Sequence, residues 1–293
     1  MSYVLPYASR SVSRGSCSIP VRGPLRIEDE LIHALDYLYS KGIVINQFHL
    51  TATTTGASET VSITRLTTYY DTTIDWGDGS APETLVAGVT TARTHVYATA
   101  GTHPITVNHA HLITQLRVDN AKLGGLDTAE LKYSKLTYFW VTLATGCTID
   151  SADMVDWRPT NWQLYSMPAG TYSISSANMV DWRPAYWYLS LMPTAGSSYT
   201  FAASCMRAWT ALTTLTMNDL GLDATTIDLV LADLYAGRMG YTAAAPTAVM
   251  GGTNADPTGV YQAMVPPTTG MEIKYELIND SASQGFKKWA ITT

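Results

Sequence analysis

Two carboxylates on a glycine-rich turn are the first residues in this chain whose types and spacing suit chemistry. Asp75 and Asp78 lie in Ile74-Asp-Trp-Gly-Asp-Gly-Ser80. Hard cations take carboxylate oxygens, but the loop lacks further acids at ligand spacing. Both side chains are therefore expected to accept hydrogen bonds from turn amides. His109 and His111 share a strand face with neither cysteine nor acid nearby, so structural histidines are expected there, and likewise at His95 and His103. No metal site is expected.

Nucleophilic, phosphate-binding and glycosidic chemistry fare no better. No serine, histidine and aspartate combine in a nucleophile motif. Gly124-Gly125 and Gly251-Gly252-Thr-Asn are not followed by Lys-Ser/Thr, so no phosphate loop is expected, and these glycines read as turns that close coils. Asp150, Asp153 and Asp156 sit close together, but a glycosidase needs two carboxylates flanking a cleft, and nothing in the sequence demands one. Cys17, Cys147 and Cys205 are too widely spaced for a disulfide framework or a zinc pattern and read as buried, inert thiols. The expectation is a protein that is not an enzyme and carries no cofactor.

The tryptophans give the sharper signal. Met154-Val-Asp-Trp-Arg-Pro159 recurs as Met179-Val-Asp-Trp-Arg-Pro184, and Trp162, Leu164 and Met167 recur as Trp187, Leu189 and Met192. Identical spacing means stacked coils, with Trp157 above Trp182 and Trp162 above Trp187. Facing outward, the four would form an aromatic strip for flat sugar faces or a partner protein. Facing inward they form core spines, which is the expected arrangement because both pairs sit at the apolar phase of the repeat. Asp156 with Asp181 and Arg158 with Arg183 are expected to form charge ladders on the polar face. A degraded copy follows through Phe201, Met206, Trp209, Leu212 and Leu215, and an earlier one runs through Leu126, Leu131, Leu136 and Phe139.

These elements sit in a chain of 293 residues that is 46% hydrophobic and only 14% charged, against roughly 25% charged in an average soluble protein. Threonine, alanine, serine, tyrosine and glycine fill the difference, a composition that suits strands with neutral, hydroxyl-bearing outer faces. Residues 1–26 hold Arg10, Arg14, Arg22 and Arg26 and no acid, which leaves −10 on the rest of a chain of net charge −6. A basic arm on an acidic body suits docking onto an acidic surface, or is a solvated terminus. No basic stripe continues beyond it, so nucleic-acid binding is not expected. No signal peptide and no membrane span are read.

The organisation expected is threefold. Residues 1–44 are a basic arm and an amphipathic helix over about 25–41, serving as anchor. Residues 45–110 are a β-sandwich with period-two patterning. Residues 111–293 are the repeat domain, with a helix at Asp223–Tyr235 and a closing hairpin from Met271–Ile278 and Phe286–Ile291 as cap.

Asp75-Trp-Gly-Asp-Gly-Ser followed by His95-Val-Tyr and Gly101-Thr-x-x-Ile-Thr-Val107 resembles the PKD domain, an immunoglobulin-like β-sandwich of cell-surface and phage proteins. The resemblance implies a spacer or binding module. The repeat, with Leu212-Thr-Thr-Leu-Thr-Met-Asn-Asp-Leu220, resembles irregular leucine-rich repeats of bacterial surface and phage proteins, which implies an α/β solenoid with one strand per coil. It departs from that pattern where Trp and Tyr replace leucine and where the asparagine ladder is reduced to Asn218. The fold class expected is mainly β.

The function expected is a non-enzymatic structural or display protein at a virion surface: a capsid decoration, head fibre or tail-surface protein anchored on capsid or tail proteins, as a homo-oligomer or array. A bacterial cell-surface adhesin or surface-polymer protein and a carbohydrate-binding module are the alternatives, with a host-surface glycan or protein as ligand.

Overall fold

The structure is a computed structural model and describes residues 46–142, 144–193, 195–242, 246–264, 266–279 and 289–293. The basic arm with Arg10, Arg14, Arg22 and Arg26, the helix expected over 25–41 and Cys17 lie outside the described residues. The protein is mainly β, with several sheets and no barrel. Residues 46–293 form one compact unit.

Its first part is antiparallel. The strands are β1 (Phe48–Thr54), β2 (Glu59–Ile63), β3 (Arg65–Thr68), β4 (Thr72–Asp75), β5 (Glu83–Leu85), β6 (Arg93–Tyr97) and β7 (Gly101–Val107). Alternation makes them. Phe48, Leu50 and Ala52 of β1 are buried, while His49 and Thr53 between them are exposed. A period of two puts the first set on one face of the strand. β1 pairs along its whole length with β7, from Phe48↔Val107 to Thr54↔Gly101. β2 pairs with β6, and their inward Val61, Ile63 and Tyr97 join the same core as Leu50 and Ile105.

From Ile113 the chain coils. β8 (Ile113–Val118), β10 (Tyr138–Thr142), β12 (Asn161–Tyr165), β14 (Tyr186–Ser190), β16 (Thr214–Asn218), β17 (Thr247–Val249) and β18 (Ala290–Thr292) lie side by side and parallel in that order. Between them run β9 (Leu123–Gly124) and a second, three-stranded parallel sheet of β11 (Thr148–Asp150), β13 (Thr171–Ser175) and β15 (Ser197–Thr200). β11 and β13 lead into the 3-10 turns Ser151–Met154 and Ser176–Met179. The central coils thus carry two strands and a turn, where one strand per coil was expected.

The register explains the repeat. Trp162 pairs with Trp187 and Leu164 with Leu189, so the spacing of the recurring hexapeptide is the length of one coil. Inside, each strand aromatic packs on the turn tryptophan of the next coil. Phe139 meets Trp157 at 5.1 Å, Trp162 meets Trp182 at 6.1 Å and Trp187 meets Trp209 at 6.0 Å between ring centroids. These separations are those of favourable aromatic pairs.

A hydroxyl ladder runs beside this spine. Thr128, Ser151 and Ser176 begin successive 3-10 turns and are fully buried. Thr128 Oγ1 accepts a hydrogen bond from Asp150 N, Ser151 Oγ from Ser175 N and Ser176 Oγ from Ala202 N, each at 2.9 Å. Each hydroxyl thereby supplies an acceptor to a backbone donor of the following coil. The ladder that Asn218 was expected to represent is built from short hydroxyl side chains. Asparagines also bridge coils: Asn178 Nδ2 donates to Ser151 Oγ, and Asn254 Oδ1 accepts from Leu220 N and Leu222 N.

Two strands cross the expected boundary at 110. β3 pairs antiparallel with β8 and so becomes the eighth strand of the large sheet. β9 pairs with β1, Ala52 opposite Leu123, and becomes the fifth strand of the first sheet. The buried residues from Phe48 to Ile291 form one continuous cluster.

The helix α1 (Ala224–Gly237) matches the expectation: Asp223 Oδ1 accepts from Thr226 N at 2.8 Å, and Ile227, Val230, Leu231 and Leu234 are buried. The closing hairpin is a correction. Met271–Ile278 belongs to a second helix, α2 (Gly270–Asn279), packed on α1. Alternating Met271, Ile273, Tyr275 and Leu277 suggested period two, yet Ile273 and Leu277 are the apolar residues of the segment's buried face. Thr269 and Glu272 set the start: Glu272 Oε2 accepts from Thr269 N at 3.1 Å and from Thr268 N at 2.8 Å. This is the Thr-x-x-Glu signature of a helix N-terminus. The last residues do form a strand, β18, parallel to β17.

Candidate functional site

The residues singled out from the sequence are mostly spent on structure. Asp75 Oδ1 accepts from Gly77 N at 2.9 Å and Asp78 Oδ1 from Ser80 N at 3.0 Å, as expected for turn carboxylates. Asp78 also meets His95 Nε2 at 2.7 Å, and His95 stacks on Trp76 with planes 10° apart. Hydrogen bonds from Ser80 and then His95 hold the Asp78 carboxyl well below the usual carboxylate range. Tyr97 Oη donates to the Trp76 carbonyl at 2.9 Å and pins this turn to the core. His109 has positive φ at the start of the 3-10 turn Ala110–Leu112 and stands within 3.0 Å of Thr72 Oγ1. His111 is buried.

Asp150 Oδ1 accepts from Ala152 N at 2.9 Å, which caps its turn. Asp153 accepts from Thr128 Oγ1, and burial raises its carboxyl above the ordinary range. Asp156 is exposed. Burial pushes the Cys147 thiol up to about 11, so it stays protonated and unreactive at neutral pH. Gly124 lies where a coil approaches β1: a Cβ there would strike the carbonyl of Thr145.

The four repeat tryptophans face inward. Trp157, Trp162, Trp182 and Trp187 are 0% exposed, the core arrangement expected from their phase, and the alternative of an outward aromatic recognition strip is not formed. Their phase in the repeat places them on the apolar face, and burying an indole there stabilises more than exposing it. The charge ladders are partial. Arg158 and Arg183 turn back on their own coils, their Nη1 groups donating to the carbonyls of Val155 and Trp157 and of Val180 and Trp182. Arg158 reaches Asp181 of the next coil at 3.7 Å, an exposed pair of small energetic weight.

No family model, curated protein or solved structure matches this chain.

The side chains that do gather on an open surface are elsewhere. In the large sheet the residues between the core positions fall on the opposite face. β10 places Tyr138 and Trp140 there, β12 places Asn161 and Gln163, and β14 places Tyr186 and Tyr188. Register aligns Trp140 with Gln163 and Gln163 with Tyr188, and likewise Tyr138, Asn161 and Tyr186, so two rows run aromatic, amide, aromatic across the strands. Tyr186 is 47% exposed and Tyr165, at the end of β12, 39%. Gln163 Nε2 donates to Asn161 Oδ1 at 2.7 Å.

Two arginines border this surface. Arg65 of β3 lies 4.3 Å from the Tyr138 ring centroid and Arg117 of β8 lies 3.8 Å from that of Trp140. Cation–π attraction fixes both guanidinium planes on the rings. Arg117 additionally pairs with Asp119 at 2.8 Å. The sequence reading missed this face. Its signal was present in Tyr138-Phe-Trp140 and Tyr186-Trp-Tyr188, where aromatics occupy both phases of a period-two strand.

Proposed function

We propose that this protein is a non-enzymatic structural and display protein of a virion surface, held to capsid or tail proteins by its N-terminal segment. The observation that carries the reading is the strand exchange between the two parts of residues 46–293. β3 of the first part extends the repeat sheet, and β9 of the repeats extends the first sheet. Hinged relative motion would have to break backbone hydrogen bonds at both crossings, which suits a protein that transmits position rather than one that closes on a substrate. The acids picked out in the sequence add support, since Asp75, Asp78, Asp150 and Asp153 are engaged in turns and caps.

The finer fold belongs to the same proposal. The first part is an immunoglobulin-like sandwich of the PKD kind, supported by the Trp76, Asp78, His95 and Tyr97 cluster. The coils are an irregular leucine-rich-repeat-like solenoid in which hydroxyls serve for the asparagine ladder. Arg10, Arg14, Arg22 and Arg26 are the proposed anchor onto an acidic surface.

Negative-stain imaging with an antibody to residues 200–293 tests the location: particles should label, and labelling of bacterial cells but never of particles would replace the virion with a cell-surface adhesin. Deleting residues 1–24 should abolish particle incorporation while leaving the thermal transition in place. Normal loading of the truncated chain would remove the anchor.

A further inference from the structure

We infer that the outward face of the eight-stranded sheet binds an extended glycan bearing carboxylate groups. The inference is independent of where the protein resides.

Charge complementarity selects the occupant. Across the eight strands the charged residues are Arg65 and Arg117, with no acid among them. The whole chain, by contrast, is acidic. The two arginines are directly opposite one another in the β3–β8 register. Like charges so placed destabilise a strand pair, and Asp119, which also accepts from Thr64 Oγ1, pairs with Arg117. Among the described residues no carboxylate lies within ion-pair distance of Arg65. A carboxylate from outside would settle Arg65, whose guanidinium face rests on Tyr138, while Arg117, stacked on Trp140, already has its Nε and Nη2 on Asp119.

The rest of the face fits a sugar chain better than a peptide or a bare polyanion. Trp140 and Tyr188 are two strands apart, about 10 Å at ordinary sheet spacing, with Gln163 between them in register. Rings at that interval accept the apolar C–H faces of alternate pyranoses, and the intervening amide is left to meet hydroxyl groups. The hydrogen bond from Gln163 Nε2 to Asn161 Oδ1 uses neither the Gln163 side-chain carbonyl nor the Asn161 Nδ2 hydrogens, which are left to do so. Tyr165 packs edge-on against Tyr188 at 5.7 Å, which holds that ring in place before any ligand arrives.

Calorimetric titration of the full-length protein tests this, with polygalacturonate, alginate, hyaluronate and polysialic acid as probes. Fully methyl-esterified polygalacturonate and polyglutamate serve as uncharged-glycan and non-glycan controls. Saturable binding is expected to at least one acidic glycan and to neither control. Arg65→Gln, Trp140→Ala and Tyr188→Ala should each raise its Kd about tenfold or more, with an unchanged cooperative thermal transition. Trp140→Phe keeps a ring under Arg117 and should recover part of the loss, so it carries the test if the alanine variant unfolds. Binding to none of the acidic glycans overturns the inference. So does equal binding of polyglutamate, which would mark a surface for acidic peptides, and so does full affinity in Arg65→Gln and Trp140→Phe together with Tyr188→Ala.

Discussion

Trp162 and Trp187, paired in register on neighbouring strands, stack with ring centroids 5.1 Å apart and planes 17° from parallel. Both are 0% exposed. Truncating either to alanine opens a cavity that the coils above and below cannot fill, at a cost of about 3–5 kcal/mol. The double variant should cost less than the two single losses together, because the first truncation already removes the shared contact. Chemical denaturation of the three variants measures this, and strict additivity would mean the rings do not support one another.

Ser151 Oγ accepts from both Ser175 N and Asn178 Nδ2 at 2.9 Å. Ser151→Ala takes the acceptor from a part-buried backbone N–H, so a loss of about 1 kcal/mol is expected. The amide of Ser175 should also exchange its hydrogen faster than its neighbours along β13. Unchanged protection of that amide would show the hydroxyl ladder to be incidental.

Ser166, Leu191 and Asp219 follow β12, β14 and β16 at equivalent places, and all three have positive φ, at 49°, 52° and 60°. Their amides extend the strand ladder, Ser166 N donating to Ser190 O and Leu191 N to Asn218 O. A left-handed backbone costs a non-glycine residue about 1–2 kcal/mol. Leu191 is largely exposed and has little burial to lose. Leu191→Gly should therefore stabilise by about 0.5 kcal/mol after glycine's greater unfolded-state entropy is counted. A melting temperature at or below that of the parent protein would contradict this.

Acid should weaken the fold through identifiable carboxylates. Glu272 is lowered from 4.5 to about 2, chiefly by the Thr268 amide, and Glu59 from 4.5 to about 2, chiefly by Lys122. A folded value below the unfolded one means the stabilisation is complete above about pH 4.5 and is lost as pH falls toward 2. Urea denaturation between pH 7 and pH 2 should show that decline, and Glu272→Gln should flatten it while lowering stability at neutral pH. An identical acid limb in Glu272→Gln would place the sensitivity elsewhere.

Gly124 pairs with Thr51 at the crossing of β9 onto β1, with the Thr145 carbonyl against its α-carbon. Gly124→Ala should destabilise by about 1–3 kcal/mol through overpacking. It should also loosen the junction, read as faster proteolysis between residues 110 and 130 with the cores on either side still protected. Proteolysis unchanged in rate would mean the junction does not depend on β9.

The sequence by itself determined the local elements and the repeat. Alternation fixed the strands at Phe48–Thr54 and Gly101–Val107, a stripe and an aspartate cap fixed the helix after Asp223, and a recurring hexapeptide fixed the coil length that Trp162 and Trp187 later display. Apolar phase also told which way the tryptophans face. These are short-range properties, written in spacings of two to four residues or in one exact repeat. At Met271–Ile278 two periods competed, and packing against α1 together with the Thr269–Glu272 cap decided for helix.

Only the tertiary structure decided how the parts join and what lies on the open face. The pairings of β3 with β8 and β1 with β9 span tens of residues, and no local pattern specifies them. The outward rows of Tyr138, Asn161 and Tyr186 and of Trp140, Gln163 and Tyr188 arise because coils of different length come into parallel register. Arg65 reaches Tyr138 only because a strand from the first part is added to the edge of the second. Side chains far apart in sequence meet through backbone pairing, and pairing is settled by the whole core.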